Sequence, residues 1–318
     1  MVSIKDLLNV TIALTPRCNL KCKWCFESAT PEKKDVFEKE EIKFILNKLR
    51  KGGTRYINFT GGEPFVIANF IEILHYAAKL FKHINITTNG LLIDTSKEIL
   101  KFYKTSNIHF GISIEGPLKF HERIRGKGTF NETLNKIKLL RKNKLYVNIQ
   151  VTLTRQNYKY IPFLIKLAKD LKVNRISFMR LRPFGRGEDY KNLTLSPVEN
   201  YKVAKYLLKR NEKEKKLRVM YKDPLVNTLN KKLIWKYERA QKQNRNSNVV
   251  CGGCRAGMES IFIHYDGNIF PCPFLQISLG DILRDSIKKV WLESPLSLIH
   301  ISEPTRPLYI SYAVFCLK

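Results

Sequence analysis

Apolar residues along this chain alternate between two rhythms. Short β-type runs occur at Val10–Leu14, Tyr56–Thr60, Ile84–Thr87, His109–Gly116 (with its exit loop) and Arg175–Met179, and strict alternation at Val147, Ile149, Val151 and Leu153 adds a sixth strand. Between them the apolar spacing is helical. It shows at Ile42, Ile45, Leu46 and Leu49, at Ile71, Leu74 and Ala78, around Lys97 to Tyr103, over 131–142, and at Leu164, Ile165, Ala168 and Leu171. Gly52-Gly53 ends the first helix. Six strands alternating with helices predict an α/β fold with a parallel sheet. Right-handed crossovers curl such a sheet into a partial (β/α)6 TIM-like barrel. Its chemistry belongs at the C-terminal ends of the strands.

The rhythm changes after Pro183-Phe184-Gly185-Arg186-Gly187. Ser196-Pro197-Val198-Glu199 is a capping box with proline at the first helical position, opening a helix with Tyr201, Ala204, Leu207 and Leu208 on one face. Basic residues dominate 191–247, which reads as solvated helices. Further on, Tyr265-Asp266-Gly267-Asn268 is a hairpin turn between Ile261/Ile263 and Ile269.

Composition narrows the class. A hydrophobic fraction of 44% in 318 residues supports a large core. No apolar run is long enough to span a bilayer, and no signal-peptide pattern opens the sequence. The cysteines are clustered rather than scattered, which points to a reducing, cytoplasmic setting. Lys and Arg number 57 against 28 Asp and Glu, a formal charge of +29. The lysines are spread over nearly every predicted helix, so solvated helix faces account for the charge better than a nucleic-acid surface.

Candidate chemistry centres on Cys18, Cys22 and Cys25, in a CxxxCxxC spacing with Trp24 before the last cysteine. A zinc site wants four protein ligands, and no fourth lies nearby. Three thiolates and one vacancy suit a cubane iron–sulfur cluster; a structural zinc knuckle is the alternative. A second group follows at Cys251, Cys254 and Cys272.

The cysteine stretch is similar to the signature of the radical S-adenosylmethionine (radical SAM) enzymes, and the remaining motifs stand in that family's order. The resemblance implies a 4Fe-4S cluster on Cys18, Cys22 and Cys25, with S-adenosylmethionine on its open iron. Reductive cleavage would give a 5′-deoxyadenosyl radical that abstracts hydrogen from substrate. It assigns Gly61, Gly62 and Glu63, in Gly-Gly-Glu-Pro, to the methionine moiety. Glu63 would pair with its ammonium. Ser113 and Glu115 match a ribose-binding position, Trp24 would lie near adenine, Arg125 would contact the cofactor, and Asn89 plays a similar part. No catalytic base is assigned. The cysteines at 251, 254 and 272 resemble the start of a SPASM or twitch domain, which implies at least one auxiliary iron–sulfur cluster.

The expected organisation is a barrel core over 1–187, a basic helical linker over 188–247 and a partial SPASM/twitch domain over 248–295. Residues 296–318 resemble the translation of a sequencing adapter, which predicts a truncated native domain. The implied substrate is a peptide or protein. A small cofactor precursor is the alternative, and a non-catalytic metal-stabilised nucleic-acid-binding module the rival from another class. Seventeen residues before Cys18 leave no room for a peptide-recognition domain, so a peptide would need a separate carrier or direct docking. An electron donor such as a ferredoxin or flavodoxin is implied; no membrane partner is expected, nor a nucleic-acid one.

Overall fold

The computed structural model describes residues 9–229, 256–257 and 260–293. Six β/α units run in order: β1 (Asn9–Ala13), α1 (Lys39–Lys51), β2 (Tyr56–Thr60), α2 (Phe70–Leu80), β3 (His83–Thr88), α3 (Lys97–Thr105), β4 (Ile108–Ser113), α4 (Leu118–Arg125), α5 (Thr129–Lys142), β5 (Tyr146–Leu153), α6 (Ile161–Asp170) and β6 (Arg175–Arg180). After α7 (Pro197–Lys213) comes β7 (Arg218–Tyr221), then α8 (Leu225–Leu229). The last described stretch holds β8 (Ser260–Ile263), β9 (Asn268–Phe270), β10 (Gly280–Asp281) and α9 (Ile287–Glu293).

All strands join one sheet in the order β10-β9-β8-β1-β2-β3-β4-β5-β6-β7. Pairing is parallel from β8 through β1 to β7 and antiparallel at β8–β9 and β9–β10. The sheet is therefore an opened barrel. Two features depart from the sequence expectation. A seventh parallel strand, β7, lies where a helical linker was expected, because only four residues, Arg218–Tyr221, carry its alternation. The C-terminal piece also extends this sheet, with β8 paired beside β1, a joint that the sequence did not foretell.

Strand residues divide cleanly between two faces. Val10, Ile12, Ile57, Phe59, Ile84, Ile86, Phe110, Ile112, Val147, Ile149, Ile176 and Phe178 are buried in one core with Leu46, Leu49, Leu74, Ile137, Leu140 and Leu164 of the covering helices. The alternate strand positions turn to the inner face, and most are polar and half-buried. The expected caps are present: Ser196 and Glu199 form the capping box of α7, and Gly52 caps α1. Gly267 takes φ +92° in the β8–β9 turn.

Candidate functional site

The three cysteines lie on the loop between β1 and α1, and three neighbours clamp that loop. First, the exit of β2 is laid directly on it. Gly62 N–H donates to Thr15 O at 2.7 Å and Glu63 N–H to Arg17 O at 2.9 Å. A Cβ on Gly61 would lie 2.6 Å from Thr15 O, and one on Gly62 2.0 Å from Arg17 O. Only glycine allows this approach, and Gly61 also holds φ +125°. The resemblance assigns these glycines to the methionine moiety; within the chain they also meet the cysteine loop.

Second, Arg17 pairs with Asp35 at 2.6 Å and donates to Val66 O at 2.8 Å, while Thr15 Oγ1 donates to Asp35 at 2.5 Å. Third, the loop after β6 presses from the far side. Arg186 Nε donates to Cys22 O at 2.9 Å, its Nη2 to Ala29 O at 2.8 Å, and its backbone N–H to Cys25 O at 3.1 Å. Gly185, at φ +57°, would set a Cβ 2.3 Å from Phe26 O.

The thiols sit in a buried, partly compensated setting. Burial pushes the Cys18 thiol up to about 12, although Leu20 N–H donates to its Sγ at 3.4 Å. Burial also raises Cys22, and Arg125, with Nη1 4.0 Å from Cys22 Sγ, works against that rise. Arg125 is itself held: its Nη2 and Nε donate to Glu115 Oε1 at 2.6 and 2.9 Å. Burial opposes its charge, and Glu115 and Cys22 outweigh that opposition. Glu115 is fully buried and also accepts from Thr152 N–H at 3.2 Å. Asn157 donates to the Glu115 carbonyl at 2.9 Å.

Glu63 is fully buried too. Its Oε1 accepts from Thr88 Oγ1 at 2.7 Å and Phe65 N–H at 3.3 Å, its Oε2 from Asn89 N–H at 2.8 Å. Burial lifts its pKa to about 7 against those donors. Asn89 passes the network on, donating to Asn19 Oδ1 at 2.7 Å with its Nδ2 4.0 Å from Cys18 Sγ. Trp24 is buried between Phe120 and Tyr190, at ring centroid distances of 6.2 and 6.0 Å, and its Nε1 has no partner.

Most residues singled out in the sequence thus form one bonded set: Gly61, Gly62, Glu63, Asn89, Glu115 and Arg125 around Cys18 and Cys22. Ser113 lies one strand away from Gln150, half-buried at the end of β4. Cys272 follows β9, and Phe274 beyond it meets Phe26, the neighbour of Cys25, at 5.7 Å between ring centroids. Cys251, Cys254 and residues 296–318 lie outside the described residues. Arg17, Asp35, Thr88 and Arg186 were not anticipated. Their one sequence signal is position, at strand ends or inside the cysteine loop.

These residues fit an iron–sulfur cubane. Among the described residues no three Cys, His, Asp or Glu side chains are gathered as the ligands of a single metal ion are. A cubane does not ask for that, since each thiolate takes its own iron. The Leu20 N–H and the Arg125 cation at the sulfurs suit a thiolate-bound anionic group.

Comparison with known proteins agrees. The radical SAM superfamily profile matches residues 12–168, and the SPASM profile, an iron–sulfur cluster-binding domain, matches 251–307, past the expected boundary at 295. The antilisterial bacteriocin subtilosin biosynthesis protein AlbA of Bacillus subtilis (strain 168) is 33% identical over 91% of this chain and 60% of its own length. Fe-coproporphyrin III synthase of Methanosarcina barkeri is 32% identical over 63% of this chain and 50% of its own. The chain therefore spans 50–60% of the length of these relatives. Among solved structures, Streptococcus suis SuiB bound to its precursor peptide SuiA superposes with a TM-score of 0.73 at 19% identity, covering 96% of this chain and 69% of that one. That likeness concerns the fold.

Proposed function

Because this chain belongs to the radical SAM superfamily and carries a SPASM domain, we infer that it cleaves S-adenosylmethionine reductively and abstracts hydrogen from a peptide substrate. When bound, the 4Fe-4S cluster and S-adenosylmethionine supply the electron and the hydrogen-abstracting carbon radical. One observation carries the reading: the loop of Cys18, Cys22 and Cys25 is bonded to the Gly61-Gly62-Glu63 loop, and half-buried Arg125 stands at Cys22. Cys18, Cys22 and Cys25 would hold the cluster. Glu63 has spent three acceptor sites on Thr88, Phe65 and Asn89, and one lone pair is left for the ammonium of the methionine moiety. Glu115 aligns Arg125 and holds its charge at the site. Trp24, with its unpaired Nε1, is the candidate for the adenine edge, and Ser113 for the ribose.

A peptide is favoured as substrate by relatives named for bacteriocin biosynthesis and for sporulation killing factor maturation. A small-molecule substrate is the second reading, favoured by AdoMet-dependent heme synthases at 24–25% identity. The reading also takes a ferredoxin- or flavodoxin-type electron donor, a cytoplasmic setting, and an auxiliary cluster on Cys251, Cys254 and Cys272. Among the described residues no helix is long and apolar enough to cross a membrane.

The test is anaerobic reconstitution with iron and sulfide, then dithionite and S-adenosylmethionine, with chromatography of 5′-deoxyadenosine. Native protein should form it, and the Cys18→Ala/Cys22→Ala/Cys25→Ala variant should not. A protein shown by Mössbauer spectroscopy to hold the cluster and yet forming none would refute the proposal.

A further inference from the structure

The inner face of the sheet carries an uncharged, amide-rich layer just below the site. Going across the strands, it runs through Thr11, Asn58, Thr87, Gly111, Gln150 and Ser177. Asn58 Oδ1 accepts from both Asn85 Nδ2 and Thr87 Oγ1, which fixes the amide and leaves its Nδ2 donors unspent among the described residues. Gln150 leans from β5 across β4: a Cβ on Gly111 would lie 2.1 Å from Gln150 Nε2. Its side-chain amide makes no hydrogen bond to another described residue. Two residues earlier on the same face, Asn148 is fully buried. Its Oδ1 accepts from Ser177 at 2.9 Å, and its Nδ2 has no partner. Asn148 is closed off beneath the layer, so the open amide on β5 is that of half-buried Gln150.

Charge is sparse on this layer and stands at its far edge. Cationic side chains stand at the first residues of β6 and β7, Arg175 and Arg218, and Lys222 follows β7 with the same parity, close enough to Arg175 to feel its charge. Three of the arginines nearer the site are neutralised or tied to backbone. Arg125 pairs with Glu115 at 2.6 Å, Arg180 with buried Asp223 at 2.7 Å, and Arg186 binds carbonyls. Over β2 to β5, away from those cations, a carboxylate brought onto this layer would be desolvated without an adjacent counter-charge. A peptide main chain, by contrast, offers one donor and one acceptor per residue to facing amides.

We propose that Gln150, supported over Gly111, and Asn58, fixed by Asn85 and Thr87, form a subsite that reads an uncharged peptide stretch beside the hydrogen to be abstracted. The proposal rests on the enzymatic reading above and selects its peptide branch. A site built to hydrogen-bond a ligand group discriminates strongly against ligands lacking it.

The experiment uses the full chain, reconstituted and loaded with S-adenosylmethionine. It is dialysed to equilibrium against a pool of N-acetylated, C-amidated uncharged hexapeptides, and bound peptides are identified by mass spectrometry. Coproporphyrin III serves as competitor. The expected result is a saturable subset of peptides that coproporphyrin does not displace. Its binding should weaken tenfold or more in Gln150→Leu, and comparably in Gly111→Ala, where the new methyl dislodges Gln150. If Gln150→Leu does not fold, Gln150→Glu, of the same shape, replaces it with the same expectation. No retained peptide, displacement by coproporphyrin, or unchanged binding in these variants would overturn the subsite. The 5′-deoxyadenosine assay needs no peptide, so failure here with cleavage intact strikes this inference and leaves the enzymatic reading standing.

Discussion

His264 Nε2, on the turn between β8 and β9, lies 3.4 Å from Glu27 Oε2, two residues beyond Cys25. Its Nδ1 lies 2.9 Å from Asp266 Oδ1. Glu27 is buried and its Oε1 has no partner, so His264 carries much of the compensation for that carboxylate. Phe26 adds a second tie, stacking edgewise on Phe262 of β8 at 6.5 Å. The C-terminal hairpin therefore supports the cysteine loop directly.

His264→Leu should strip that support and leave Glu27 buried without a cation. We expect a loss of about 1–3 kcal/mol in stability, read by urea denaturation, together with faster iron release to a chelator. Iron release at the native rate would show that the hairpin does not hold the loop.

Gly62→Ala tests the closeness of the two loops. The new methyl would fall 2.0 Å from Arg17 O, which is backbone and cannot swing aside. Overpacking of this kind costs about 1–3 kcal/mol, and here it would push the cysteine loop off Glu63. The expected outcome is a lower melting temperature and less than half the native iron content after reconstitution. Full iron loading would contradict the geometry.

Glu63→Gln separates binding from scaffolding. Gln can still accept from Asn89 N–H and turn its amide toward the Thr88 hydroxyl, but that amide then faces Phe65 N–H, whose acceptor is lost, so the fold should survive with a loss of about 1–3 kcal/mol. The charge is gone, so S-adenosylmethionine should bind about ten- to hundredfold more weakly, the scale of a charge-assisted bond. Equilibrium dialysis on cluster-loaded protein measures this, and an unchanged Kd would remove Glu63 from the ammonium.

His121 predicts a pH dependence. It is buried, its Nδ1 accepts from Glu115 N–H at 3.3 Å, and burial, with help from Arg125, lowers its pKa to about 3. Between that value and the ordinary 6.5 the unfolded chain binds a proton that the folded chain does not. Stability then rises with pH through this window and is lost as pH falls. His121→Gln keeps an acceptor and removes the titration. Its melting temperature should fall less steeply than the native one between pH 6.5 and pH 4; parallel slopes would assign the acid sensitivity elsewhere.

Much of this was legible in the sequence because apolar spacing and strand-end motifs are local signals. The six β/α units and the hairpin turn at Gly267 appear where the pattern put them. So do the chemistry-bearing loops, since each follows a strand. What was not legible depends on contacts far apart in the chain. Arg186 reaches Cys22 and Ala29 across more than 150 positions, and nothing around Gly185-Arg186 names its acceptors. The contact of Gly61 and Gly62 with the cysteine loop was illegible for the same reason: a pair of glycines shows that something comes close, not what. β7 was hidden by its shortness, and α4, which delivers Arg125, by its eight residues of mostly polar sequence.

The pairing of β8 with β1 bears on how the molecule is assembled. During synthesis β1 acquires β2 early, whereas its other neighbour arrives only after the whole barrel has been made. Until then β1 presents an open edge, with the cysteine loop hanging from it. Such a pairing has a high contact order and forms slowly. Until the hairpin is made, Phe26 and Glu27 of that loop lack their partners on β8 and on the β8–β9 turn.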